Sequence, residues 1–159
     1  MNLYLIRHSI AEKSSLNKKD IERELTEEGR ALIRIFAQSW KNFVDSFDII
    51  FSSPLKRTVQ TSEIISSIMQ TSANILLENN LAPGSRTSDL IDLLALTDKN
   101  NIAVVGHQPD LSIHISNFCG RNGFSLVFPA GAIAKIEFDR KVRYNSGKLI
   151  FLIPPPAKL

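Results

Sequence analysis

The sequence has little of several features that would point to particular classes of protein. Its 159 residues include a single cysteine, Cys119, which excludes an internal disulfide, favours a reducing compartment and is expected to be a buried structural thiol. No apolar run reaches the ~20 residues of a membrane span, and the start lacks the charged segment of a signal peptide. These absences predict a cytoplasmic protein with no membrane partner.

Repeats, low-complexity segments and linkers are also lacking, so we expect a single domain over residues 1–159. The net charge is +3, and the lysines and arginines are scattered rather than grouped, which argues against nucleic acid and is compatible with an anionic substrate. No glycine-rich nucleotide motif is present, and the histidines lack metal-ligand spacing. We therefore expect no cofactor and no metal.

What the sequence does contain is an alternation of short apolar runs with segments of helical periodicity. The predicted strands are 3–6, 47–51, 74–78, 102–105, 132–138 and 148–153. The predicted helices run from Thr26 as N-cap to about 44, from Ser53 as N-cap to about 69, from 88 to about 99, and from 109 to 118. This pattern predicts a three-layer α/β sandwich, with a mostly parallel central sheet, helices on both faces and antiparallel strands near the C-terminus.

Polar side chains follow three of the predicted strands. Arg7 and His8 come directly after the first strand, Arg57 lies in the first turn of the helix after the second, and His107 follows the fourth. Carboxyl ends of neighbouring parallel strands meet at one edge of a sheet, where α/β proteins bind ligands. We therefore expect these four side chains to converge. His114, which lacks this setting, is expected on a helix surface or in packing.

The convergence of two arginines and two histidines indicates phosphate chemistry. Two guanidinium groups can bind a tetrahedral oxyanion through several hydrogen bonds. One imidazole can attack phosphorus and carry the phosphoryl group, while the other stabilises charge on the group in transfer. The residues alone therefore predict phosphoryl transfer without a metal.

Four segments, 5–8, 23–29, 52–61 and 105–107, together resemble the histidine phosphatase superfamily. Their order and the short chain are most similar to the small phosphohistidine phosphatases of SixA type, with a phosphoglycerate mutase-like fold. The resemblance implies that His8 is the nucleophile and that Arg7, Arg57 and His107 complete the phosphate pocket. It also implies that Arg23 reaches the substrate from the loop after the first strand.

The sequence departs from this pattern at two points. Ser9 stands where the superfamily usually has glycine, which predicts a slightly tighter pocket in which Ser9 contacts the substrate. A general acid is not evident: Glu78 is a candidate, although a glutamate at a strand end is also an ordinary surface residue. Imidazole leaves phosphorus with far less acid assistance than an alkoxide, so the missing acid favours phosphohistidine as substrate.

Three functions remain open from the sequence. The first is a phosphatase acting on a phosphorylated protein that carries phosphohistidine. The second is a phosphomonoesterase or mutase acting on a small phosphorylated substrate, which would require a carboxylate near the leaving group and an insertion over the site. The third is a non-catalytic module that binds phosphate, with Ser9 marking lost activity.

Overall fold

The computed structural model describes residues 1–120, 126–139 and 141–156, which build a six-stranded sheet with helices on its two faces. The strands are β1 (Asn2–Arg7), β2 (Ile49–Ser52), β3 (Asn74–Leu77), β4 (Asn101–Gly106), β5 (Ile133–Phe138) and β6 (Gly147–Ile153). The helices are α1 (Glu27–Trp40), α2 (Lys56–Met69), α3 (Thr87–Ala95) and α4 (Asp110–Cys119). Two short 3₁₀ helices, Asp20–Glu22 and Asn79–Leu81, lie in the connections.

The strand order is β3-β2-β4-β1-β5-β6. The first four strands in this order pair in parallel, whereas β5 is antiparallel to both β1 and β6. The prediction of a mostly parallel sheet with antiparallel strands near the C-terminus is therefore confirmed.

Side chains of β1 alternate between two hydrophobic cores, because successive residues of a strand point to opposite faces. Leu3 and Leu5 belong to the core under α3 and α4, and Tyr4 and Ile6 belong to the core under α1 and α2. Both pairs are almost completely buried. The continuous apolar run of β1 thus fills both faces of the sheet, and the three-layer arrangement is as predicted.

The start of α1 and the end of α2 at Met69 agree with the sequence prediction, whereas other helix boundaries differ. Thr26 caps α1, since its hydroxyl oxygen accepts from the backbone N–H of Gly29 at 3.0 Å. The predicted N-cap at Ser53 is wrong: α2 begins at Lys56 with Leu55 as N-cap. The hydroxyl of Ser53 is engaged instead by a histidine far along the chain, as described below. Helices α1 and α3 also end about four residues before their predicted ends, at Trp40 and Ala95.

Two residues expected to be structural lie in packed positions. His114 is buried on α4, where its ring nitrogens lie 2.8 Å from the hydroxyl of Thr87 and 3.3 Å from that of Ser85. Cys119 ends α4 half-buried, and burial raises the pKa of its thiol above the usual value. In the described residues, no helix is both long and apolar enough to cross a membrane.

Candidate active site

The carboxyl ends of β1, β4 and β2 lie side by side and bring the predicted residues to one edge of the sheet. Arg7 is in register with Gly106, and Ser52 is in register with Val105. The next residues continue this contact: the backbone N–H of His8 donates to Gly106, and that of Ser53 donates to Val105. His8 and Ser53 are therefore held by main-chain hydrogen bonds to β4, and the carbonyl oxygen of His107 accepts from the backbone N–H of Leu111 in α4.

Arg57 lies between the two imidazoles. Its Nε–H donates to Nε2 of His8 at 3.3 Å, and its Nη2–H donates to Nδ1 of His107 at 3.4 Å. The imidazole rings are 5.2 Å apart between centroids, and the Arg57 side chain is only 5% exposed. The structure thus brings together three of the four residues singled out from the sequence into a single contact network.

The hydrogen bonds define which nitrogen of each imidazole carries a proton. A carbonyl oxygen only accepts, so the 2.7 Å contact between Nδ1 of His8 and the carbonyl oxygen of Ser9 places the proton of His8 on Nδ1. Its Nε2 then carries a lone pair that faces Arg57. In His107, Nδ1 is the acceptor from Arg57, so Nε2–H donates to the hydroxyl of Ser53 at 2.8 Å.

Burial and neighbouring cations keep both imidazoles neutral. Burial, followed by the positive charges of Arg57 and Arg7, lowers the pKa of His8 to about 4. Burial and the adjacent His8 and Arg57 lower the pKa of His107 to about 3. At neutral pH His8 therefore presents an unprotonated nitrogen, which is the form that can act as a nucleophile.

Arg7 lies at the same edge but is anchored differently. Its Nη1–H donates to the backbone carbonyl oxygen of Phe128 at 2.9 Å. Its Nε is buried without a hydrogen-bond partner among the described residues. Because a buried unpaired donor is costly, this N–H is suited to an anion bound from outside the chain.

Arg23 reaches the network through Asp20, to which the sequence analysis gave no role. The carboxylate of Asp20 accepts from Nη1 of Arg23 at 2.7 Å and from Nη2 of Arg57 at 3.1 Å. Nε of Arg23 also donates to the carbonyl oxygen of Glu12. The hydrogen bonds from Arg23 and then Arg57 hold the pKa of Asp20 below its usual value. The sequence signal was weak: an aspartate three residues before an arginine in a polar loop.

Ser9 directs its hydroxyl away from the imidazoles. Its side chain is fully buried and donates to the carbonyl oxygen of Gly29 in the first turn of α1, at 2.7 Å. Its backbone N–H donates to the hydroxyl of Thr61 in α2. The hydroxymethyl group that distinguishes serine from glycine therefore joins this edge of the sheet to α1, and contact of Ser9 with a substrate stays a prediction.

Glu78 is placed beside β2 by its main chain, since its N–H donates to the carbonyl oxygen of Ser52. Within the described residues, the carboxylate that is hydrogen-bonded to Arg57 is that of Asp20. A search of the same residues finds no group of three or more histidine, cysteine or acidic side chains able to hold a metal.

The sequence model of the histidine phosphatase superfamily (branch 1) matches residues 3–82. This stretch is half of the chain and includes His8 and Arg57. The chain belongs to the histidine phosphatase superfamily, and this membership supports phosphatase activity.

Individual relatives agree over almost the whole length. An uncharacterized protein of Picosynechococcus sp. is 29% identical and covers all of this chain and 99% of its own. Among solved structures, the protein histidine phosphatase SixA complexed with tungstate is similar with a TM-score of 0.85, 22% identity and 96% of each chain covered. The alpha-ribazole phosphatase of Shigella flexneri is similar with a TM-score of 0.71 and 19% identity, over 92% of this chain and 96% of its own. At these identities the two structures establish a shared fold.

Proposed function

We propose that this protein is a phosphohistidine phosphatase that works through a phosphorylated histidine of its own. The observation that carries the proposal is the contact between His8 and Arg57. A neutral imidazole nitrogen with a free lone pair lies 3.3 Å from a buried guanidinium N–H. A nucleophile and an oxyanion-binding group are thereby held within the width of one phosphoryl group.

In the first step Nε2 of His8 attacks phosphorus, forming a new N–P bond while the bond to the leaving group breaks. A leaving imidazole takes its electron pair with it and is protonated by solvent. In the second step a water oxygen attacks the phosphoryl group on His8, the N–P bond breaks, and phosphate is released. The bond from Nδ1–H of His8 to Ser9 fixes the ring orientation in both steps and stabilises the positive charge that develops on the imidazole.

Arg57 and His107 stabilise the phosphoryl group during transfer. Arg57 supplies N–H donors between the two imidazoles, and the free N–H of Arg7 can bind a further phosphoryl oxygen. The negative charge of a bound anion favours protonation of His107, which then becomes a third cationic donor to the same oxygens. Arg23, linked to Arg57 through Asp20, adds positive charge at the opening of the site.

The preference for phosphohistidine rests on the acid-base properties of the carboxylate at the site. Asp20 accepts hydrogen bonds from two arginines, which lower its pKa and make it a poor proton donor to an alkoxide. Imidazole needs far less assistance because its own proton affinity is near neutral. A phosphoramidate on a partner protein is therefore a better substrate for this site than a phosphoester.

A phosphatase for small phosphomonoesters is the second candidate. It is supported by the structural similarity to the alpha-ribazole phosphatase of Shigella flexneri. This alternative requires a carboxylic acid near the leaving group, for which Glu78 at the end of β3 is the first residue to mutate.

The test compares release of phosphate from a phosphohistidine-bearing protein and from p-nitrophenyl phosphate, without added metal. We expect the protein to consume the phosphohistidine far faster than the ester. His8→Ala should lose turnover by about 10³-fold or more and form no acid-labile phosphoenzyme. His114→Asn is the matched control, because it removes a buried imidazole outside the site. Turnover by His8→Ala would refute the proposal, comparable ester hydrolysis would favour the second candidate, and phosphate binding without turnover would indicate a non-catalytic module.

A further inference from the structure

Most of the N–H groups of Arg57 are bonded to acceptors of its own chain. Four hydrogen bonds leave its guanidinium, which has five N–H groups. Two go to the imidazoles of His8 and His107, one to the carbonyl oxygen of Asp20, and one to the Asp20 carboxylate. A phosphoryl group can therefore accept from more than the one remaining N–H only after one of the internal acceptors has left.

The Asp20 carboxylate is the acceptor best able to leave. Its side chain is 52% exposed, whereas the side chain of Arg57 is almost completely buried. The backbone of Asp20 is fixed separately: its carbonyl oxygen accepts from Nη1 of Arg57 at 2.9 Å and from the backbone N–H of Arg23 at 3.3 Å. The carboxylate can therefore rotate into solvent while the 3₁₀ helix Asp20–Glu22 and the two arginines keep their positions.

The two arginines hold the Asp20 carboxylate as they would hold a bound oxyanion. One carboxylate oxygen accepts from Arg23 and the other from Arg57, so a single negative group bridges the two cations. This is the arrangement that two phosphoryl oxygens would adopt between the same arginines. The carboxylate also compensates the charge of buried Arg57.

We infer that Asp20 is an internal competitor for the oxyanion site and thereby sets the affinity of the enzyme for phosphate. The inference rests on the proposed function, in which a phosphoryl group binds Arg57. Binding of substrate moves the carboxylate away, and return of the carboxylate displaces inorganic phosphate after hydrolysis. A ligand that offers only a phosphate group is therefore held weakly, and contacts outside the phosphoryl group are needed for tight binding.

The experiment measures equilibrium binding of inorganic phosphate and of tungstate by calorimetry, without any turnover. We expect Asp20→Asn and Asp20→Ala to bind both anions about fivefold more tightly than the original chain, equivalent to about 1 kcal/mol. Glu22→Gln is the matched control, since it removes an exposed carboxylate from the same 3₁₀ helix and should change affinity by less than twofold. Thermal unfolding of each variant confirms that it is folded.

Unchanged or weaker anion binding by both Asp20 variants would overturn the inference and leave Asp20 as a residue that positions the arginines. An equal gain for Glu22→Gln would also overturn it, because the effect would then be general charge rather than competition. These failures differ from failure of the proposed function. Failure of the proposed function would appear as the absence of phosphohistidine on His8, whether or not the original chain and the Asp20 variants bind the anions.

Discussion

The Nε–H of Arg57 donates to Nε2 of His8, so the cation proposed to bind the phosphoryl group also touches the atom proposed to attack it. This contact holds the His8 lone pair in place. It also means that the arriving phosphoryl group has to enter between the two side chains. Replacement of Arg57 should consequently affect both binding and reactivity.

Arg57→Lys keeps the charge but loses the planar set of donors that contacts His8, His107 and Asp20 together. We expect kcat/KM for phosphohistidine to fall by about 10²-fold, because a lysine cannot reproduce several directed hydrogen bonds. Steady-state kinetics provide the measurement. Lys56→Ala, which removes the exposed neighbouring cation bonded to Glu24, should change kcat/KM by less than threefold. Near-normal activity of Arg57→Lys would mean that charge alone is sufficient.

Ser53 acts on the proposed chemistry through His107. Ser53→Ala removes the acceptor of Nε2–H, and we expect the ring to populate its other tautomer, with a roughly tenfold lower kcat and a smaller change in KM. Nitrogen-15 NMR of the imidazole reports the tautomer directly. Ser53→Thr keeps a hydroxyl at this position and should therefore keep both the tautomer and kcat. Ser52→Ala is the control, because the hydroxyl of Ser52 bonds to the backbone carbonyl oxygen of Ser53 in the described network.

Ser9→Gly should act on stability more than on catalysis. The variant loses the buried hydrogen bond to the carbonyl oxygen of Gly29, and we expect about 1 kcal/mol less free energy of unfolding in urea titrations. The value of kcat/KM should stay within about twofold. A tenfold rise in KM at unchanged stability would instead support the predicted contact between Ser9 and the substrate.

Two buried histidines, His107 and His114, and the partly buried His8 predict a loss of stability in acid. Burial lowers the pKa of His114 to about 4, and those of His8 and His107 are lowered similarly. Between about pH 6.5 and 4 the unfolded chain therefore binds more protons than the folded one, so the free energy of unfolding decreases as the pH falls. Each such group contributes about 1.4 kcal/mol per pH unit in this range.

His114→Gln isolates one of these groups. At pH 8 the imidazole is neutral in both the folded and the unfolded chain. The variant should then be less stable, because it loses the contacts of the ring nitrogens with the hydroxyls of Thr87 and Ser85. At pH 5 the original chain has to release the proton of His114 when it folds, which lowers its free energy of unfolding, whereas glutamine has no such proton. The difference in free energy of unfolding between the two chains should therefore be about 2 kcal/mol smaller at pH 5 than at pH 8. A difference that does not depend on pH would show that His114 titrates normally.

The sequence was sufficient to predict the parts of the site that follow from strand order. His8 and His107 come together because each directly follows a buried parallel strand, and the apolar runs that identify such strands are local features of the sequence. The Thr26 cap is equally local. The three-layer arrangement is predictable from the alternation of apolar runs with segments of helical periodicity along the sequence.

Contacts between distant segments account for what the sequence could not predict. Ser53 has the sequence features of an N-cap, yet its hydroxyl bonds to a histidine 54 residues away, and α2 begins later. Asp20 lies in a segment without periodicity, so nothing in its neighbourhood indicates that it meets Arg57. Such contacts depend on the path of the loops across the edge of the sheet. The local pattern of apolar and polar residues carries no information about that path.

The position of β4 in the sheet determines when the site can form as the chain emerges from the ribosome. β4 lies between β1 and β2, so the strand that precedes His8 and the strand that precedes Arg57 are connected only through β4, once residues 101–106 have joined the sheet. A nascent chain that has emerged from the ribosome only as far as residue 100 therefore lacks the strand that sets their spacing. Assembly of the proposed phosphate site should coincide with closure of the sheet, which delays reactivity of His8 until two-thirds of the polypeptide has emerged from the ribosome.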